Sequence, residues 1–522
     1  MKWVLTLWLS ATVLSASEIA GRVVDPGGAG VPSAKVTVIQ ASLARAGSAS
    51  TDATGRFRIV VPGPGSYAVH IDRSLFAPLR VAIDVTDTGG PEFVFQLGIA
   101  TALSSVTVSA EAGRSVDPDQ VPQSMTLISR ESLDQHSGLL SAAVSGQVGV
   151  QEVRTSPTVG AISVRGLTGK NVAVFRDGVR MTTSAQRGGI STFLNLVPTS
   201  GLESVEVLRG PSSAQYGSDS LGGAVGLNSP STGVGWHGGM SASYESAARG
   251  WASTTSIGYG NARFGWAANL GGKRSSTLRT GGGMDSHAAV TRFLGLPSNV
   301  LGERLPDTAF TGYGGSLHGA VRMGRESQLI GHYERGQQDG GKRYDQLLGG
   351  DGNLVADLRN LMLDFGYLRW QRFHAGPLDQ ISVTGSYNAQ REERVNQGGQ
   401  GDPAGAVTHQ YEKTKAMGVQ AMGDRRWGRV DWLAGGEMYF ERIVAPSFSV
   451  WPLTGVVSLV RPRIPDGAGY RQYGGFTQAS WRPWDSQRLR LSGALRYGGA
   501  AYDSRAGRSP LVNGRRLWPD DA

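Results

Sequence analysis

Chemistry in a protein needs nucleophiles, paired acids, metal ligands or a phosphate cradle, and this sequence is poor in all four. It contains no cysteine, so thiolate metal centres, cysteine nucleophiles and a disulfide framework are all excluded. No Gly-x-Ser-x-Gly elbow stands at a strand-to-helix junction, where a serine hydrolase needs it. The run Gly166–Asn171, GLTGKN, glances at a phosphate-binding loop. It lacks that loop's spacing and the Ser or Thr after Lys170 that would hold Mg²⁺. His287 and His409 fall in expected loops and His332 in an expected strand, each either solvated or a contact for a bound ligand. The stretch Lys342–Gly352, KRYDQLLGGDG, adds Tyr344 and Asp345 as candidate ligand contacts. No residue is assigned to catalysis or to a resident metal, and the chain is expected to be no enzyme and to carry no cofactor of its own.

The elements that would position these residues are read from composition first. Glycine makes up 76 of 522 residues, about twice the usual ~7% share, and only 39% of the chain is hydrophobic. Beyond the extreme N-terminus there is no apolar run of the roughly 20 residues that a spanning helix requires. Many short strands and turns suit such a chain. The net charge of +9 invites a nucleic-acid reading, yet arginines alternate with acids and no run of five or more like charges occurs. No RNP, zinc-finger or basic-zipper pattern appears either, so nucleic acid is discounted as a partner. Residues 1–17 stand apart: Lys2, an apolar stretch from Trp3 to Leu14, then Ser15-Ala16-Ser17. That is the pattern of a cleaved secretory signal peptide, and it predicts a mature chain beginning near Glu18.

Residues 18–99 make short strands punctuated by turn chemistry. An Asp25-Pro26-Gly27-Gly28 turn separates a first strand from an alternating one carrying Val36 and Val38. A polar Asp52–Gly55 turn leads to a strand with Phe57 and Ile59. A Pro-Gly turn then leads to a strand through Tyr67, Val69 and Ile71, and FVFQL follows at Phe93–Leu97. Gly21, Asp25, Gly55, Phe57, Pro62, Gly65 and Tyr67 sit where carboxypeptidase regulatory-like domains have theirs, and the segment resembles that family. The resemblance implies a small β-sandwich without catalytic residues, a spacer or docking module.

From Val106 the text changes. Val121-Pro122-Gln123-Ser124 turns into the strand MTLISR, followed by a helix-like stretch around Glu131–Gln135. AISVRG ends at Arg165-Gly166, NVAVFRDGVR turns at Asp177-Gly178 before Arg180, and Leu202–Leu227 reads LESVEVLRGPSSAQYGSDSLGGAVGL. Each begins as a strand and ends on glycine at a turn that needs positive φ. Together these motifs resemble the plug domain of TonB-dependent outer-membrane receptors, above all through Glu206, Arg209, Gly210, Pro211, Tyr216, Gly217, Gly222 and Gly223. The pair Phe175-Arg176 departs from that family, which usually carries apolar residues there. The resemblance implies a mixed α/β plug at 113–232, preceded by a linker at 100–112. In that linker Ser105, Val106, Thr107, Val108 and Ser109 are the candidate TonB box, an extended segment able to add to TonB's sheet.

Beyond residue 233 the pattern is strand after strand. Met240, Ala242 and Tyr244 alternate with polar residues, as do Phe264, Trp266, Ala268 and Leu270. Leu361, Leu363, Phe365 and Tyr367 form another apolar face, as do Ile381, Val383 and Tyr387, and Leu489, Leu491, Leu495 and Tyr497. Short turns are predicted near Asn261, Met323–Glu326, Arg425–Trp427 and Trp484–Gln487. Long loops are predicted at Ser276–Thr311, Gln337–Asn360, Asn396–Gln410 and Ala445–Tyr470. Short turns at one end and long loops at the other are expected of an outer-membrane barrel. About eleven strands are counted against the twenty-two of a plugged transporter barrel, so residues 233–522 are expected to be an incomplete antiparallel transmembrane β-barrel in a truncated chain. The fold class is thus mainly β, with a sandwich, a mixed plug and half a barrel. The resemblance implies a receptor in the outer membrane of a Gram-negative bacterium, its plug and N-terminal domain at the periplasmic side. It would take up a scarce nutrient, a siderophore-bound iron or haem foremost. Its partners would be outer-membrane lipid, TonB and TonB's inner-membrane energising proteins. The alternatives are a structural or adhesive outer-membrane protein and a receptor for oligosaccharide or cobalamin.

Overall fold

The computed structural model describes residues 17–97, 124–279, 308–343, 354–397 and 402–504, with short breaks inside these spans, and two short pieces at 511–512 and 515–516. Residues 1–16, the Ser105–Ser109 segment, His287, Tyr344 and Asp345 lie outside the described residues. The chain divides into two compact units.

The first unit holds β1 (Ser17–Val24), β2 (Lys35–Gln40), β3 (Arg45–Ser50), β4 (Arg56–Val61), β5 (Gly65–Asp72), β6 (Leu79–Val85) and β7 (Phe93–Gln96). They form two sheets, ordered β4-β1-β7 and β3-β2-β5-β6. Strict alternation builds the core between them: Phe57, Ile59 and Val61 are buried while Arg56, Arg58 and Val60 point out. Val36, Val38, Tyr67, Val69 and Ile71 pack against them from the other sheet. β3 and β6 were not foreseen from the sequence. RAGSAS is small and polar, and it becomes a strand because Lys35–Ile39 offers it a ladder. The expected Asp52–Gly55 turn is present. Its Asp52 carboxylate accepts the backbone N–H of Arg56 at 2.9 Å and of Thr54 at 2.8 Å, and the Thr54 hydroxyl at 2.7 Å.

In the second unit an inner domain comes first. It comprises β8 (Ser124–Ser129), α1 (Arg130–Asp134), α2 (Leu140–Val144), β9 (Val150–Arg154), β10 (Gly160–Val164), β11 (Val172–Arg176), β12 (Val179–Arg180), β13 (Ser204–Arg209), α3 (Ser213–Tyr216) and β14 (Gly223–Asn228). Its main sheet runs β12-β11-β14-β13-β8, with β11 and β14 parallel and the other pairs antiparallel. The strands expected at MTLISR, AISVRG, NVAVFR and SVEVLR are all there. The Asp177-Gly178 turn has φ of 49° and 77° at its two central residues, the left-handed pair a two-residue hairpin demands. Gly223 is required differently: a Cβ there would collide with the Leu208 carbonyl across the ladder.

Around this domain stands a sheet of 13 antiparallel strands. Nine come in order: β15 (Gly235–Glu245), β16 (Gly250–Gly260), β17 (Phe264–Ser275), β18 (Phe310–Met323), β19 (Ser327–Gly340), β20 (Val355–Ala375), β21 (Leu378–Gln397), β22 (Val407–Trp427) and β23 (Val430–Val444). Two short strands follow, β24 (Ser447–Val450) and β25 (Val457–Leu459), then β26 (Gly469–Trp481) and β27 (Leu491–Asp503). The short turns after β16 and β18 fall where expected, β22 runs on to Trp427 and turns at Gly428, and Trp484–Gln487 lies outside the described residues. The long loops after β19 and β21 are shorter than predicted, because those strands extend to Gly340 and Gln397 and their partners begin at Val355 and Val407. The connection from Val444 to Gly469 is no bare loop: it contains β24 and β25.

The two faces of this sheet differ. Outward, Leu270, Leu317, Leu368, Val419 and Leu495 are exposed. Aromatic groups flank them, Trp236 with Trp266 and Tyr259 and Trp427 with Trp432 at the turn end, and His409 with Tyr411 and Phe448 towards the other. An exposed apolar band between aromatic girdles is the exterior of a membrane barrel. Leu361, Leu363, Phe365 and Tyr367 do the opposite: this apolar row turns inward and joins the core of the inner domain, with Val205, Val207 and Val225. No helix among the described residues is long and apolar enough to cross a membrane.

Candidate functional site

The inner domain meets the wall through apolar packing and a set of buried charges. The β11–β12 hairpin presents three of these in five residues: Arg176, Asp177 and Arg180 are each at most 4% exposed. A charge so placed must be paired and hydrogen-bonded to persist. Arg176, the sequence's departure from the apolar norm, is answered by the wall. Its Nε donates to His332 at 3.3 Å, its Nη2 donates to the Gly201 carbonyl at 2.8 Å, and Glu334 of β19 stands 3.6 Å away. Asp177 accepts the Ser229 N–H at 2.8 Å, the Ser229 hydroxyl at 2.7 Å and the Tyr367 hydroxyl of β20 at 2.9 Å. Arg369 of the same strand donates to the Asp177 carbonyl at 2.7 Å.

Arg180 closes a second cluster. It donates to Asp219 at 2.7 Å and lies 3.6 Å from Glu437 of β23, which also accepts from Arg496 of β27 at 2.5 Å. The guanidinium sits over the rings of Phe175 and Tyr439. The other motif residues serve the inner domain itself. Arg165 and Gly166, both at positive φ, end β10. Buried Glu206 accepts from the Asn228 amide at 2.8 Å, Arg209 donates to the Val148 carbonyl, and the Gly210 N–H donates to Gly222 at 2.9 Å. Pro211 follows into α3, where Tyr216 packs on Phe175 and Gly217, at φ 86°, ends the helix. Elsewhere the wall comes closer still. Glycines make this possible: a Cβ on Gly336 of β19 would overlap the Leu196 carbonyl, and one on Gly314 of β18 would crowd Pro198.

At the end of the sheet that carries the longer connections, a cavity of about 400 Å³ opens between the inner domain and the wall. Thr182, Thr183, Ser184 and Asp219 line it from within, and Tyr470 and Ile464 from the wall side. The Ser184 hydroxyl and N–H both donate to Glu441 of β23, at 2.5 and 2.9 Å, fixing this rim. Sequence reasoning missed the cavity residues, because Thr and Ser in a loop carry no distinguishing spacing. Of the histidines it named, His332 is buried in the Arg176 cluster. His409 shares its strand face with exposed Tyr411, Met417 and Val419, lies 3.5 Å from Glu393 and is not among the cavity's lining residues.

A compact domain seated against an outer-membrane-type sheet by buried charges defines a class, and comparison with known proteins names it. Residues 117–224 match the TonB-dependent receptor plug domain, and residues 18–98 match the carboxypeptidase regulatory-like domain. The chain therefore carries, over residues 117–224, a domain of the TonB-dependent receptor plug type, with a regulatory-like domain ahead of it in sequence. The vitamin B12 transporter BtuB of Vibrio vulnificus is 32% identical over 124 residues, which are 23% of this chain and 20% of that protein. The iron-regulated outer membrane virulence protein of Vibrio cholerae is 30% identical over 150 residues, 28% of this chain and 23% of its own length. A variant of the ferric enterobactin receptor of Pseudomonas aeruginosa shares the fold with a TM-score of 0.54 at 16% identity, over 74% of this chain and 59% of that one. The chain thus spans less than two thirds of each of these three proteins, and under a quarter of the two relatives matched by sequence.

Proposed function

We infer that this chain acts as a TonB-dependent importer of the Gram-negative outer membrane. The observation that carries this reading is the double anchoring of the β11–β12 hairpin, through Arg176 and Arg180, to strands of a membrane-type sheet. Such a plug is held by contacts that are specific yet finite in number, so a pull on its N-terminal side can release it. The segment Ser105–Ser109 is the candidate handle, and the cavity beside Thr183 and Tyr470 is the candidate cargo site. Iron bound to a siderophore, or haem, is the proposed cargo. One relative is named for its iron regulation and one structural neighbour for ferric enterobactin; cobalamin is the alternative that the B12 transporter supports. A purely structural or adhesive role has no use for a cavity at the plug's rim.

The test is uptake by the protein in cells of a receptor-deficient strain, with and without TonB, offered ferric siderophores, haem and cobalamin in turn. Growth on one iron source that requires TonB is expected. Uptake independent of TonB, or none with any cargo, would overturn the reading. Tyr470→Ala is expected to weaken cargo binding about tenfold, the usual cost of truncating a well-packed aromatic contact.

A further inference from the structure

The Arg176 cluster contains more than charge neutralisation requires. Arg176 and Arg369 already balance Asp177 and Glu334, yet two histidines stand in the same buried space. The β18–β19 register sets His318 directly opposite His332, with ring centroids 5.6 Å apart, and the plug hairpin delivers Asp177 from the facing surface. One ligand atom from each of the three lies within 4.8 Å of the others, and all three side chains are buried.

We propose that Asp177, His318 and His332 form a binding site for one divalent transition-metal cation of the zinc or copper class. Two imidazoles and a carboxylate suit such borderline cations and do not suit calcium or magnesium. Bonds of roughly 2.0–2.2 Å are reached from this spacing by small side-chain rotations. The supporting shell is in place: the Ser229 N–H and hydroxyl and the Tyr367 hydroxyl hold the carboxylate. His332 turns Nδ1 toward Ser229, at 3.5 Å, while Glu334 lies 3.5 Å from its Nε2. With the ion on Nδ1, the ring proton moves to Nε2 and donates to Glu334, the carboxylate–histidine–metal arrangement.

That tautomer conflicts with one observed bond. Arg176 donates to His332 Nε2, which requires the proton on Nδ1 and blocks it as a ligand. Metal and the Arg176–His332 bond are therefore alternatives. When the ion binds, Arg176 keeps only Glu334 and the Gly201 carbonyl, both of which it already reaches. The ion would pin the plug hairpin to β18 and β19, and Arg176 sets the affinity by competing with it. This site does not depend on what the protein imports.

The test is titration of the chelator-stripped full chain in detergent micelles with Cu²⁺ and with Zn²⁺. The expected results are about one ion bound per chain and a Cu²⁺ spin-resonance spectrum split by two nitrogen ligands, with bound Zn²⁺ protecting the plug from protease. His318→Ala and His332→Ala should each weaken binding at least tenfold and remove the two-nitrogen pattern, roughly the cost of disturbing such a shell. Arg176→Gln should strengthen it, and His409→Ala should leave it unchanged. The wild-type spectrum is informative even where a variant does not fold. Absence of a stoichiometric site, a spectrum without two nitrogens, binding retained in the double histidine variant, or weaker binding in an Arg176→Gln chain whose plug stays protease-resistant would each overturn the proposal.

Discussion

Arg176 is the residue on which the plug's seating turns. A fully buried guanidinium 3.6 Å from Glu334 and 3.8 Å from Asp177 is costly to bury but costlier to remove, since two buried carboxylates are then left with Arg369 alone to balance them. Arg176→Met is expected to destabilise the folded chain by about 3–5 kcal/mol, read from denaturant unfolding in detergent; a change below about 1 kcal/mol would place the compensation elsewhere. In the first unit Asp52 makes a pH prediction. The Arg56 N–H, then the Thr54 hydroxyl, hold its carboxyl below the usual carboxylate range. A depressed folded value contributes stability above the unfolded value of about 3.9 and loses it as pH falls through the folded one. Hydrogen exchange of the β1–β4 ladder should therefore speed up on acidification, and Asp52→Asn should flatten that dependence. An unchanged pH profile would show that the turn does not depend on the charge.

Elements were legible where their pattern was local. Phe57 and Ile59 alternate with arginines and become β4; Asp177-Gly178 announces its own hairpin, and the inner domain's strands follow from their terminal glycines. What could not be read was long-range. Leu361 to Tyr367 looks like any outward apolar face, and only the presence of the inner domain turns it inward. His318 and His332 lie equidistant from the centre of the Met323–Ser327 turn, so their pairing was available in principle. It became meaningful only with Asp177 opposite, which register within one hairpin cannot supply. At this scale two predictions follow from backbone chemistry. Gly178→Val forces a β-branched residue to φ 77° and should cost about 1–2 kcal/mol, visible as a lowered unfolding midpoint. Proline at Val106 or Val108 removes a donor that strand addition needs and should abolish crosslinking to TonB while leaving the plug's protease resistance intact. Undiminished crosslinking would move the handle elsewhere.

The molecule as a whole sorts its surfaces by solvent. The outward band from Leu270 to Leu495 is apolar between aromatic girdles, while the inward side carries Glu334, Arg369 and Glu441 against the plug. In vesicles with bromine-labelled acyl chains, tryptophan fluorescence should be quenched, and Trp266→Phe with Trp427→Phe should remove part of that quenching. Emission indifferent to the bromine label would mean that this face does not meet lipid.

Where Gly336 faces the Leu196 carbonyl, main chain meets main chain with no side chain between. A joint of that kind has no slack: any side chain at position 336 would have to push Leu196 and β19 apart. Main-chain contact, rather than side-chain fit, therefore sets the clearance between the inner domain and β19, as a spacer sets the gap of a bearing.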